Sequence, residues 1–143
     1  MKFNEILSIA GQPGLYRFLT QGKAGIIVES LADQRRFPVS ANAKVSSLTD
    51  IAIYTETEDR PLSEIFQTMY EKLGGKEALD AKSSPEELAK ALEQFIPDYD
   101  KERVHKSDIK KLFSWYNLLV ANGMTQFVEE ETEEQQEEEG KEE

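Results

Sequence analysis

Few residues of this sequence could do chemistry, and His105 is the first to consider because it is the only histidine. Cysteine is absent, which excludes thiolate zinc sites, iron–sulfur clusters and cysteine nucleophiles. No serine, aspartate or second histidine stands at a recognised motif spacing from His105, and the acidic clusters lack the alternating oxygen ligands and glycine of a calcium loop. We therefore predict no metal and no cofactor, and interpret His105 as a solvated surface residue.

Paired carboxylates and glycines give no catalytic motif either. Glu56 and Glu58, and Glu86 and Glu87, stand at predicted domain borders or helix starts, where they offset exposed amide dipoles or stay solvated. The sequence therefore favours a protein without enzymatic activity, and an enzyme of unrecognised type, using carboxylate or tyrosine chemistry, is kept as an alternative. Three glycine-containing runs lack the pattern of phosphate-binding loops and fit turns or caps instead: 11–14, 21–25 and 73–76.

A first candidate binding surface is basic and lies in the N-terminal half. Arg35 and Arg36 follow a predicted turn, and Phe37 and Tyr16 could lie near them in a sheet. Small barrels use such loop-edge arginines and aromatics to hold RNA strands or peptides. On a strand, however, neighbouring side chains point to opposite faces, so at most one of the two arginines joins a given patch. We favour solvated arginines on a short edge strand, and keep Arg17, Arg35, Arg36 and Phe37 as candidate binding residues.

Trp115, the only tryptophan, marks a second candidate surface. It lies in "SDIKKLFSWYNLL" (107–119), with Lys111 on the same side of a predicted helix. Trp115 either stacks bases beside a basic patch or packs in the protein, for example between the two halves of the chain. We favour packing, because residues 100–111 carry five basic and three acidic side chains, which is a weak patch. The candidate binding residues of this segment are Lys106, Lys110 and Lys111.

The first 57 residues have the composition and turn spacing of short β-strands. "TQGK" (20–23) predicts a tight hairpin with Gly22 at a positive φ angle. "FNEILSI" (3–9) is typical of either a short helix or an added strand. The expected architecture is a small, curved antiparallel sheet or barrel of SH3-like size, with strands at 14–19, 24–31, 35–40 and 50–56.

The residues after 57 predict three or four helices. Asp59 can cap the first of them, with Pro61 near its first turn and Gly74-Gly75 as its end. "KEALDA" (76–81) could add a helical turn. The apolar residues of the first helix follow the helical repeat at Leu62, Ile65, Phe66, Met69 and Leu73.

Two further helices carry clearer end signals. Ser84 is the predicted N-cap of the second helix, with Pro85 in its first turn and Glu87 as a capping-box partner. Ser107 opens the last helix, and Gly123 closes it. One face of this last helix is apolar, at Ile109, Leu112, Phe113, Tyr116, Leu119 and Val120, while Trp115 and Leu118 give it a second apolar face that could pack on the β half.

The net charge of −11 is concentrated at one end of the sequence. Residues 129–143 hold ten acidic residues and one lysine, a net of −9, whereas the preceding 128 residues carry only −2. Such a segment cannot bury apolar surface, so we expect disorder, with a role in solubility or as a lure for basic partners. The predicted organisation is a β domain at 1–57, a helical domain at 58–127 and a disordered acidic tail at 128–143.

The sequence also bears on location. After Met1-Lys2 the most apolar early stretch, "ILSIA" (6–10), is far shorter than a secretory segment, and no run approaches the length of a membrane-crossing helix. We therefore expect a cytoplasmic protein with no membrane contact.

Several stretches together resemble a small bacterial protein family of unknown function. They are "ILSIAGQPGLYRFL" (6–19), "GIIVESL" (25–31), "RRFPVSANAKVSSLTDIAIYTE" (35–56) and "SDIKKLFSWYNLL" (107–119). The resemblance covers about residues 1–125 and excludes the acidic end. It implies a cytoplasmic protein with a β-rich N-terminal domain and a helical C-terminal domain, and it supplies no catalytic or ligand-binding residues.

Two compact modules without a catalytic constellation favour a non-enzymatic binding or adaptor protein with a protein partner. The alternative is an RNA- or ribosome-associated protein that binds through Arg17, Arg35, Arg36 and the segment Lys106–Lys111. In that case, the acidic tail could compete for the same surface and reduce non-specific contacts, and binding should depend strongly on salt.

Overall fold

The chain folds as an α+β protein with a five-stranded antiparallel sheet, a two-stranded hairpin and three α-helices within residues 2–12 and 14–128, the part that our computed structural model describes. The predicted disordered tail lies outside these residues, apart from Val128. The strands are β1 (Ile6–Ile9), β2 (Tyr16–Gln21), β3 (Gly25–Ser30), β4 (Arg36–Ser40), β5 (Val45–Ser47), β6 (Ala52–Tyr54) and β7 (Asp59–Pro61). The helices are α1 (Leu62–Lys72), α2 (Pro85–Phe95) and α3 (Lys106–Ala121).

The larger sheet has the strand order β4-β3-β2-β1-β5. Strands β1 to β4 form a meander, and β5 returns to pair with the free side of β1, with Leu7 opposite Ser47. The segment 3–9 therefore forms both of its predicted alternatives, a short 3-10 helix at Phe3–Glu5 and then β1. Strand β5 lies in a stretch that the sequence predicts as a loop between two strands.

In the β2–β3 hairpin, the position that requires glycine is not the predicted one. Gly22 is not among the described residues with a positive φ angle, so that prediction is wrong. The residues between the strands include Lys23 and Ala24, and the Gly22 N–H donates to the Gly25 carbonyl over 2.8 Å. Gly25 is the critical glycine, because a Cβ there would overlap the carbonyl oxygen of Val39 on β4.

The helix ends agree with prediction where the signal is local. Helix α2 begins after Ser84, whose Oγ accepts the N–H of Glu87 over 3.2 Å. The first helix is different: Asp59 does not cap α1 but lies in β7, because residues 59–61 pair with β6, and α1 begins after Pro61. Helix α3 begins at Lys106, one residue before Ser107.

The segment 76–81 does not form the helical turn that the sequence suggests. It is held instead by side chains of α3. The Ala78 N–H donates to Asn117 Oδ1 over 2.6 Å, and the Tyr116 hydroxyl donates to the Lys76 carbonyl over 3.1 Å. These tertiary hydrogen bonds replace the repeating backbone bonds of a helix.

One hydrophobic cluster contains residues from both halves of the chain. Phe3, Ile6 and Leu31 from the N-terminal half share it with buried residues of all three helices. On α3 five of the six residues of the predicted apolar face are buried, at Ile109, Leu112, Phe113, Tyr116 and Leu119. The sixth, Val120, is partly buried against the same cluster. The predicted domain border at 57–58 therefore runs through a shared core, and the division into two domains stays a prediction.

A second, smaller cluster lies on one face of the five-stranded sheet. Its buried members are Ile9, Tyr16, Val28 and Val39. Phe37 packs against it, and its ring meets that of Tyr16 edge-on with 5.5 Å between the ring centres. The sequence expectation that Phe37 and Tyr16 lie near each other is confirmed.

Aromatic rings make up the centre of the main cluster. Phe127 lies beyond the end of α3, and its ring centre is 5.9 Å from those of both Phe66 and Tyr116. The N–H of Phe127 donates to Gln67 Oε1 over 2.9 Å. The segment after α3 is thereby fixed to α1 just before the acidic residues begin.

The buried Tyr116 hydroxyl gives the fold a predictable response to alkali. Burial, and to a lesser degree Tyr70, raises the pKa of Tyr116 to about 12. An unfolded tyrosine ionises near pH 10, so between pH 10 and 12 the unfolded chain has lost a proton that the folded chain keeps. The free energy of unfolding therefore falls as the pH rises through this range, by about 2 kcal/mol from this group.

The check is urea unfolding between pH 9 and 12 for the wild type and Tyr116→Phe. We expect the variant to lose about 1 kcal/mol at pH 9, because it lacks the hydroxyl bond to Lys76. Its curve should then fall less steeply than that of the wild type and meet or cross it. Parallel curves would show that Tyr116 ionises normally in the folded protein.

Candidate functional site

Trp115 lines two surface clefts. The side chain is partly buried and packs against the main core, so the packing interpretation is confirmed. Together with Lys111, it also lines both clefts. We call the combined region the Trp115 surface, and define it by Trp115, Lys110 and Lys111 on α3 with Tyr54 and Arg103 at one end.

The first cleft lies between strand β6 and helix α3 and has a volume of about 260 Å³. Buried side chains of Leu62 and Leu112 line it, and the exposed Tyr54 and Arg103 also contribute to it. One carboxylate, Asp108, is present, and its Oδ2 accepts the N–H of His105 over 3.1 Å. This cleft therefore offers an apolar lining with charges of both signs.

Backbone hydrogen bonds set the position of Arg103. The Asp100 N–H donates to the carbonyl of Tyr54 over 2.9 Å, which fixes the loop before α3 to strand β6. Asp100 Oδ1 then accepts the N–H of Arg103 over 3.2 Å. The Arg103 guanidinium carbon lies 3.9 Å from the centre of the Tyr54 ring, a cation–π contact that holds both exposed side chains in place.

The second cleft lies between the β1–β2 connection and α3 and has a volume of about 440 Å³. Gly11 and Gly14 contribute to it, and both have a φ angle of +82°, which favours glycine. Helix α3 contributes Lys110, Lys111 and Trp115. No acidic side chain is among its described lining residues, so this cleft carries only positive charge.

Among the described residues, the two lysines of the second cleft have no ionic partner. Within residues 2–12 and 14–128, neither Lys110 nor Lys111 lies within 4 Å of a carboxylate oxygen, and both side chains are exposed. Arg103 differs, because its guanidinium lies 3.3 Å from Asp100 and 3.6 Å from Asp59. The uncompensated charge of the Trp115 surface is therefore at Lys110 and Lys111.

The other predicted binding residues are mostly ion-paired. Arg17 lies 3.3 Å from Glu5, Arg36 lies 3.1 Å from Glu29, and Arg35 lies 3.6 Å from Asp33. Glu29 is also the register partner of both Arg17 and Arg36 on the neighbouring strands. Arg17 and Arg36 thus lie on either side of Glu29 in the sheet, and Arg35 pairs with Asp33 before β4, so these arginines do not form an isolated basic patch.

Phe37 and Lys106 are placed differently again. Phe37 is half-buried against the smaller core, and Lys106 Nζ lies 3.6 Å from Glu86 with both side chains exposed. Of the predicted residues, only Lys110 and Lys111 share a cleft with Trp115. Their role in binding stays a prediction.

Tyr54 and Arg103 were not predicted as site residues. A signal for Tyr54 was present, since strand alternation places its side chain on the sheet face opposite to that of the buried Ile53. Arg103 had no such signal, because its position depends on the hydrogen bond between Asp100 and Tyr54.

Two further features bear on the chemistry of the described residues. Within this part of the chain, no three or more histidine, aspartate or glutamate side chains form a group that could hold a metal ion. None of the helices described above is long and apolar enough to cross a membrane.

Comparisons with known proteins place this chain in a family. Residues 3–48 match a domain of unknown function (DUF5606), and residues 51–119 match another (DUF6852). A Bacteroides vulgatus protein, solved by solution NMR as a target of the Northeast Structural Genomics Consortium, is 48% identical, with a TM-score of 0.72. The similarity covers 90% of this chain and 93% of that one. The chain belongs to the same family as this protein.

The family matches agree with the resemblance seen in the sequence, which is confirmed as a family of unknown function. A search of curated proteins gave no match. The first domain match ends at residue 48 and the second begins at residue 51.

Proposed function

We propose that this chain is a non-enzymatic binding protein of the cytoplasm, and that the Trp115 surface binds an acidic segment of a partner protein. The observation that carries the proposal is the pair of clefts that meet at Trp115, one with an apolar lining and one with two unpaired lysines. An extended segment could place an apolar side chain in the first cleft and its carboxylates in the second.

The residue types of the surface favour a protein partner. Tryptophan, tyrosine and arginine are the side chains most enriched among residues that dominate binding energy in protein interfaces. Here all three meet at one place, and Tyr54 is 41% exposed. Their positions are fixed by the core and by the Tyr54–Arg103 contact, so little side-chain entropy is lost on binding.

The same proposal treats the five-stranded sheet as an SH3-like module. A four-strand meander whose fifth strand returns beside the first supports this assignment, as does the small core on one sheet face.

The test is capture of partners from nuclease-treated native extract of the source cells, with variants that separate the two candidate surfaces. Lys110→Gln combined with Lys111→Gln removes the uncompensated charge, and Tyr54→Ala removes the exposed ring. The matched control is Arg35→Ala with Arg36→Ala on the sheet. We expect the first two changes to weaken binding of a captured protein by about 10- to 100-fold, as for central interface residues, and the control to leave it unchanged.

RNA binding is the second candidate function, because the partly buried Trp115 beside two lysines without a described ionic partner is also a base-stacking arrangement. It predicts that the bound material is lost on nuclease treatment and that affinity falls steeply with salt. A protein that survives nuclease but binds all variants equally would overturn the assignment to the Trp115 surface.

A further inference from the structure

We infer that the acidic segment 129–143 of this chain occupies the second cleft, next to Trp115, and competes there with the acidic segment of a partner. This inference rests on the proposed function, because it assigns a regulator to the same surface. It concerns a contact within one molecule, in which the two unpaired lysines meet the chain's own glutamates.

Charge complementarity is the first argument. The segment carries a net of −9 over fifteen residues. The second cleft has Lys110 and Lys111 on its wall and no described carboxylate. The predicted arginines already have carboxylate partners within 4 Å, so they offer the segment less uncompensated charge.

The point of attachment is the second argument. Phe127 is buried against Tyr116, the residue that follows Trp115 on α3. Along the helix, Lys111 precedes Tyr116 by five residues, or about 7.5 Å. The acidic segment therefore begins two residues after an anchor that packs against α1 and against the helix that carries both lysines.

Chain length is the third argument. A flexible glycine-rich chain of fifteen residues would have a root-mean-square span of about 22 Å, a glutamate-rich chain repels itself and extends further, and the fully extended limit is about 50 Å. A helix with its side chains is about 10 to 12 Å across, so a segment of this length is long enough to pass around α3. A tether of this length gives an effective concentration in the millimolar range, so even a contact with a dissociation constant of about 1 mM would be half occupied or more.

Trp115 reports directly on this contact because it is the only tryptophan. The experiment compares acrylamide quenching of three chains: full length, ending at Val128, and full length with every glutamate of 129–143 changed to glutamine. Salt is varied from about 20 to about 500 mM, which shortens the Debye length from about 20 Å to about 4 Å. At low salt we expect quenching constants about twofold larger for the second and third chains, and equal values for all three at high salt.

The same truncation in a Lys110→Gln, Lys111→Gln background completes a double-mutant cycle. The difference between full-length and shortened chains should then disappear, although the lysine changes themselves can alter quenching. Urea unfolding of each chain checks that the fold is intact. Equal quenching of the three original chains at low salt would overturn the inference, as would shielding that depends on protein concentration, which would assign the contact to a second copy.

The two proposals fail in different ways. If the three chains are quenched equally but partner capture still depends on Lys110 and Lys111, the tail contact is overturned and the proposed function stands. Capture that does not depend on Lys110 and Lys111 overturns the proposed function, whatever the quenching shows. If both hold, the shortened chain should also capture more partner at low salt than the full-length chain.

Discussion

Phe127→Ala is expected to lower the free energy of unfolding by about 3 to 5 kcal/mol, the usual cost of removing a fully buried phenylalanine ring. The ring is 1% exposed and contacts four other aromatic rings, those of Phe3, Phe66, Tyr70 and Tyr116. Because these rings come from the N-terminus, α1 and α3, the cavity cannot close by a local shift. Urea unfolding should show a lower midpoint with an unchanged slope.

The matched control is the next residue, Val128, which is 37% exposed. Val128→Ala should change the free energy of unfolding by less than about 0.5 kcal/mol, as for most surface changes. A loss of less than 1 kcal/mol for Phe127→Ala would show that the segment after α3 is not part of the folded core. It would also remove the fixed anchor on which the inferred tail contact depends.

Phe127 also shows where sequence patterns stop being informative. The helices were predicted well because their signals are local, as at Ser84 and Pro85 before α2. Phe127 lies in "MTQFVEE" (124–130), which has no helical or strand repeat, so no pattern there indicates burial. Its place in the core depends on rings 60 residues or more away in the sequence, at Phe3 and Phe66, and those partners cannot be paired from one sequence.

Strands were predicted less completely for the same reason. The pairing of β5 with β1 joins residues almost 40 positions apart, and the three residues of β5 have no alternating pattern long enough to stand out. At Asp59, a sound helix-capping signal was overridden because β7 pairs with β6 and Pro61 precedes the helix. Long-range pairing decided the first case, and a local hairpin, in which Tyr54 pairs with Asp59, decided the second.

Only the helical part of the candidate site could be predicted from the sequence. Helical spacing placed Trp115 and Lys111 on one side of α3, which the structure confirms by the two clefts they share. Spacing could not show which basic residues lack partners. Arg17 and Arg36 looked free in the sequence, but strand register brings Glu29 opposite both of them.

Gly25→Ala is the second change with a large expected effect. It tests whether Gly25, and not the predicted Gly22, is the glycine that the β2–β3 hairpin requires. An added Cβ would overlap the Val39 carbonyl oxygen and lie 2.9 Å from the Ala41 nitrogen. Both are backbone atoms, one on β4 and one just after it, so the overlap can be relieved only by separating β3 from β4 next to the small core. We expect a loss of about 3 kcal/mol or more in the free energy of unfolding, at the upper end of overpacking effects.

Gly22→Ala is the matched control three residues earlier in the same hairpin. The atom nearest to a Cβ there would be the flexible end of Ile27, at 3.3 Å, while the Gly25 carbonyl oxygen would lie at an ordinary contact distance of 3.7 Å. The φ angle of Gly22 is not in the positive range. The change should be neutral or stabilise by up to about 1 kcal/mol, because alanine restricts the unfolded chain. Urea unfolding of the two variants tests this. A larger loss in the free energy of unfolding for Gly22→Ala than for Gly25→Ala would support the predicted positive φ angle at Gly22 and would contradict the close packing of β3 on β4.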